Sequence, residues 1–217
     1  MGFSTLIDIL GSSLIGGSIL LILFRMSDAS VESNYLTSGE FLVQSNLLAT
    51  IEILEHDLRK VGYCENWEEI PDPAIAIIEA TDTSITFLTD VAQSQSLQLG
   101  DGTVDTLKYW IGKSTDAEVQ NTPNPNDKIL YRQVNNDPPF YANLGITQFK
   151  LQYFNALGNK ITTMPVNPPL GIITLQIDIT VENTASYGDD ADGNVYSKDK
   201  SAFYRQIRLA APSLAIR

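Results

Sequence analysis

The residues of this 217-residue chain best suited to chemistry are few and scattered. Asp190, Asp192 and Asn194 alternate hard oxygen donors around Gly193, the pattern of part of a calcium loop. Counted from Asp190, the twelfth position of an EF-hand would carry Glu, and Ser201 stands there instead. A weak Ca2+ site and a plain polar hairpin loop are therefore both open. Asp8 is the one formal charge in an otherwise apolar run from residue 3 to 24. A carboxylate in hydrocarbon is costly unless it is paired, protonated or within reach of headgroup water, so the position demands either a cationic partner or a place near the membrane surface. The lone His56 stands beside Asp57 and Lys60 with no second His, which makes it a surface or interface residue rather than a metal ligand or base. Cys64 is the single cysteine, so no internal disulfide can form; it is either a small buried hydrophobe or a free or intermolecular thiol. There is no glycine-rich phosphate loop, no Gly-x-Ser-x-Gly and no metal-spaced His pair. Nothing here supports catalysis, and no cofactor beyond that Ca2+ is expected.

The elements that carry these residues fall into two parts. Residues 3–24 form a run of about 20 mostly apolar residues, long enough to cross a bilayer as a helix. It makes a poor secretory signal peptide, since no basic region precedes it and no small-residue cleavage site follows. Beyond Arg25 the apolar positions become periodic: Leu36, Val43, Leu47, Ile51, Leu54, Leu58 and Val61 step by three, four or seven, one stripe of a helix. Glu55 and Arg59 form an i,i+4 pair, and Gly62 is placed to end the helix in the left-handed conformation. An unbroken helix to that point would measure about 90 Å at 1.5 Å per residue. Gly16, Gly17 and Gly39 are its weak points.

After residue 62 the pattern changes to strands. Residues 75–80 and 84–89 flank a Thr81-Asp82-Thr83 turn. Residues 106–112, 128–134, 146–154, 171–181 and 202–209 alternate, and 114–127 has the Thr, Asn, Asp and Pro content of a surface loop. A helix followed by a run of strands implies an α+β fold: a long hydrophobic-then-amphipathic helix packed by its C-terminal half on an antiparallel sheet. The expected division is a hydrophobic membrane or filament-core helix over 1–25, its amphipathic continuation over 26–62 and an antiparallel β domain over 63–217. With 26 acidic and 14 basic side chains the net charge is −12, which argues against nucleic acid and anionic lipid headgroups as main partners.

Five stretches resemble the type IV pilin and type II secretion pseudopilin superfamily, most closely its minor subunits of the J and W classes. Residues 2–8, Gly-Phe-Ser-Thr-Leu-Ile-Asp, look like the family's Gly-Phe-Thr-Leu-Ile-Glu start. Residues 54–63 look like the helix end of the minor class, Leu130-Tyr131-Arg132 like a mid-domain strand, and residues 144–158 like the strand and turn that follow. Residues 203–209 are similar to the family's last strand. The resemblance implies a filament subunit that waits in the inner membrane and is then polymerised through its N-terminal helix into an extracellular or cell-surface fibre. Its partners would be itself and other pilin-like subunits, an assembly platform and a prepilin peptidase. Phe3, Asp8, Gly16 and Gly17 would be the assembly residues, Asp8 pairing with the N-terminal amine of a neighbour, and Gly2-Phe3 the processing site. The chain departs from the family in carrying no Lys or Arg in Met1-Gly2, one extra residue before the acid, and Asp in place of Glu. The alternative is a membrane-anchored binding module or minor initiating subunit that contacts a ligand or a secreted substrate.

Overall fold

In a computed structural model of the chain, the described residues are 2–92, 100–120, 122, 124–182, 187–189, 195–197 and 202–215. The candidate calcium ligands Asp190, Asp192 and Asn194 lie outside them. Helix α1 spans Gly2–Arg59 without interruption, continuing through Gly16, Gly17 and Gly39. Two compact units divide the chain, 1–41 and 42–217.

In the first unit the helix is apolar on every side over residues 5–24, and its side chains from 5 to 35 are exposed. In the second unit the stripe read from the sequence is buried at Val43, Leu47, Ile51, Leu54, Leu58 and Val61. These six share one core with Phe87, Leu107, Leu151, Tyr153, Leu175 and Ile177 of the sheet. The helix thus follows from a 3.6-residue period whose apolar face has a sheet to bury it.

The end of α1 is built as its last residues suggest. Arg59 lies in the final turn, where its positive charge meets the negative end of the helix dipole, and it reaches Glu55 at 3.8 Å. Gly62 adopts φ +75°, and its N–H donates to the Leu88 carbonyl at 2.9 Å. A Cβ there would sit 3.2 Å from that of Pro73 and 3.3 Å from that of Ala76. Gly62→Ala is accordingly expected to destabilise the fold by about 1–2 kcal/mol from the left-handed backbone, with the close contacts adding to it. Chemical denaturation of the two proteins side by side checks this.

The strands are β1 (Ile77–Ala80), β2 (Ser84–Thr89), β3 (Asp105–Ile111), β4 (Lys128–Val134), β5 (Phe140–Phe154), β6 (Lys160–Ile161), β7 (Thr174–Glu182), β8 (Tyr187–Asp189), β9 (Val195–Ser197) and β10 (Ala202–Ala210). All pair antiparallel; the main sheet runs β1-β2-β3-β4-β5-β7-β10 with β6 on β5, and β8 pairs with β9. The 75–80 stretch, read as one strand, begins as a 3-10 turn at Pro73–Ile75, because the Asp72 carboxylate caps the Ala74 amide. The alternation of 146–154 holds for Phe149, Leu151 and Tyr153 inside and Gln148 and Lys150 outside. It fails at Ile146, which is buried, because the register slips between Ile146 and Gln148 and the extra residue turns that side chain inward. A single short turn of helix, α2 (Pro212–Ala215), follows β10.

Candidate functional site

Two features of the chain could serve function: the apolar first unit, and a polar network inside the second. Phe3, Asp8, Gly16 and Gly17 all lie on α1. Phe3 and Asp8 are exposed, and a Cβ at Gly16 or Gly17 would meet nothing within 4 Å. Neither glycine is therefore required by the chain's own packing. Ser12 donates its hydroxyl to the Asp8 carbonyl and Ser18 to that of Leu14 at 2.8 Å, so small polar side chains of the segment are satisfied within the helix. The outcome is a helical segment over residues 3–24 able to sit in hydrocarbon, or among other helices, with the Asp8 carboxylate as its lone formal charge. By length and composition α1 is long and apolar enough to cross a membrane.

The network in the second unit was not read from the sequence. Asp57 is 6% exposed. Its Oδ2 accepts hydrogen bonds from the Tyr109 hydroxyl at 2.6 Å and Arg132 Nε at 2.8 Å, and its Oδ1 lies 3.1 Å from Nδ1 of the exposed His56. Burial by itself would raise the Asp57 carboxyl; the Arg132 hydrogen bond and charge, with Tyr109 and His56, outweigh it and hold the group below the usual carboxylate range. Burial and the Asp57 charge push the Tyr109 phenol well above its ordinary value, and Asp57 raises Arg132 despite desolvation. All three keep their charge state across neutral pH, so they fasten the last turn of α1 to β3 and β4 rather than move protons. The signal was available: Asp57 follows Leu54 by three, placing an acid on the stripe that faces the core. Beside this network lies a cavity of about 400 Å³, walled by Asn46, Thr50, Ile53, Leu54, Leu130, Phe140, Tyr141 and Leu144.

Among the described residues, Asp90, Asp101 and Asp105 bring carboxylate oxygens within 4.8 Å of one another. Both oxygens of Asp90 and of Asp105, and one of Asp101, are already engaged. Asp90 accepts from the amides of Glu65, Asp101 and Gly102, Asp105 from Val91 and the Asn135 carboxamide, and Asp101 from Thr103. Cys64 is a free, buried thiol 3.7 Å from Asp90, raised above its ordinary value mainly by burial.

No protein-family model matches the chain, and no curated protein matches it. Among solved structures it is similar to a type IV-like pilin from Thermus thermophilus, at 10% identity and a TM-score of 0.45, over 79% of this chain and 98% of that one. A likeness so distant carries no functional weight.

Proposed function

We propose that this chain is a structural subunit of a type IV pilus-like or pseudopilus filament, held in the inner membrane by the apolar part of α1 and then polymerised through it. The observation that carries the reading is a helix apolar on all sides over residues 5–24 and continuous with one whose later turns lie in the core of a folded β unit. Such a segment is stable only where lipid or other helices surround it. In a filament core, neighbouring helices replace lipid, Gly16 and Gly17 permit close approach, and a cation from the next subunit meets Asp8. The similarity of residues 54–63 and 144–158 to the J and W classes supports a tip or initiating role, and a homopolymer would use the same contacts.

The cavity beside Arg132 favours a second reading, a membrane-anchored module that binds an apolar ligand. Asp8→Ala separates the two. On the filament reading, sheared cell-surface material from cells carrying this variant contains at least tenfold less of the chain, while the membrane fraction keeps it. Equal recovery from the wild type and the variant would overturn the role of Asp8. If the wild-type chain is never found in sheared filaments under conditions where it is expressed, the anchored module replaces the polymer.

A further inference from the structure

The cavity of about 400 Å³ beside the Asp57 network lies within the second unit, between the helix turns that carry Asn46, Ala49 and Ile53 and the strands β4 and β5. Its size falls in the range of roughly 300–1,000 Å³ usual for small-molecule pockets. Leu54 and Leu130, both buried, form its floor, and Ile53, Phe140 and Tyr141, all exposed, form its rim. Large apolar side chains exposed together around a concave site mark a place that is covered in use. One cation joins this lining. Arg132 walls the cavity, and its hydrogen bonds to Asp57 at 2.8 Å and Tyr109 at 3.1 Å both leave from Nε. The guanidinium carries further N–H groups on its terminal nitrogens, and among the described residues these have no partner. Nor are they sealed: among the described residues the buried side-chain atoms without a hydrogen bond are those of Asp127, so the terminal nitrogens of Arg132 are accessible.

An apolar pocket with unused guanidinium donors fits a molecule that has an apolar body and an anionic, hydrogen-bond-accepting head. We propose that this cavity binds a medium-chain monocarboxylic acid, its carboxylate on the terminal nitrogens of Arg132 and its chain against Ile53, Leu54, Leu130 and Leu144. Because Asp57 offsets the Arg132 charge, the head is recognised through directed, charge-assisted hydrogen bonds rather than by net charge. A cationic head finds no acceptor, since the Asp57 carboxylate is spent on Tyr109, Arg132 and His56. This ligand class rests on the apolar-ligand reading of the cavity and is independent of whether the chain polymerises.

The full chain, purified in detergent, is titrated at neutral pH with decanoate, decanol and decyltrimethylammonium, the free ligand being set by dialysis against the same micelles. Binding is read from the methyl resonances of Ala142 and Leu144, both in the cavity wall. Decanoate is expected to shift them saturably and to bind at least about tenfold more tightly than decanol, the margin of one hydrogen bond to a charged group, with the ammonium weaker still. Ala49 is an exposed helix position at the cavity, so Ala49→Trp obstructs the mouth without entering the core. It should remove the decanoate response while leaving the thermal midpoint within about 2 °C of the wild type. Arg132→Lys keeps a cation for Asp57 but loses the planar fork, and should bring decanoate down to the affinity of decanol. If that variant is too unstable to titrate, the wild-type series and Ala49→Trp decide alone. Equal affinity for decanoate and decanol overturns the acid and leaves an apolar ligand standing, whereas no saturable shift with any of the three overturns both. A decanoate response that survives Ala49→Trp overturns the site. Self-association that Ala49→Trp abolishes, without any ligand response, gives the cavity to a second copy of the chain instead.

Discussion

Asp57→Ala is expected to cost about 3–5 kcal/mol, the range for removing one partner of a buried ion pair. The Arg132 guanidinium, its side chain 27% exposed, loses the charge that neutralises it, and the Tyr109 hydroxyl loses its 2.6 Å acceptor. For a chain of this size each kcal/mol moves the thermal midpoint by roughly 2–4 °C, so a fall of about 10 °C is anticipated. Asp57→Asn keeps an acceptor and should lie between. A double variant with Arg132→Leu should recover much of the loss, because the unpaired cation is then gone. The pH dependence has a definite sign. A carboxyl depressed by folding stabilises above its unfolded value near 4, and that contribution is lost as pH falls through the folded value. The wild type should therefore converge on Asp57→Ala below about pH 4 and stand well above it at pH 7. A difference under about 1 kcal/mol at pH 7, read from urea unfolding, would sink the idea that this triad fastens the helix to the sheet.

Much of the fold was legible in the sequence because its periods are local properties of the chain. The stripe from Val43 to Val61 is buried as its spacing predicts, β2 begins and ends where the strand-like run after the Thr81-Asp82-Thr83 turn does, and β4 spans the alternating run 128–134. What failed to show depended on residues distant in sequence. Ile146 turns inward through a register slip between β5 and β7, which no period within residues 146–154 could announce. Asp57 and Arg132 are 75 positions apart, so an acid on an apolar stripe was visible and its partner was not. Residues 114–127 read as surface from composition alone, and only the folded loop hides Asp127. The segment carrying Phe3, Asp8, Gly16 and Gly17 is the reverse case. Its chemistry is legible in the sequence, and the isolated chain adds only that these positions lie on an unbroken helix whose glycines its own packing does not demand.

Asp90→Ala is the second large loss to expect, about 3 kcal/mol or more, because one fully buried carboxylate serves three backbone amides at 2.7–3.0 Å. Each amide left without an acceptor costs roughly 1–3 kcal/mol, less whatever water restores. Burial alone would raise this carboxyl, but the amides of Glu65, Asp101 and Gly102 together hold it below the usual range, so its contribution too is lost on acidification. Its backbone belongs to the same joint: the Asp90 amide donates to Tyr63, Lys60 Nζ to the Asp90 carbonyl at 2.6 Å, and the Thr89 hydroxyl to Lys60. Loss of the side chain should therefore loosen the turn that follows α1, and hydrogen exchange should quicken first at Glu65, Asp101 and Gly102. Asparagine is no rescue, since its NH2 would face amide donors. Gly100→Ala offers an independent approach to the same point: its Cβ would fall 2.2 Å from Asp90 Oδ2, which must then move. If the two residues act through one contact, the double variant costs less than the sum of the singles, because without the carboxylate the methyl has room. Strict additivity, or unchanged exchange at the three amides in Asp90→Ala, would show that the joint is held by the strand and helix around it and not by this carboxylate.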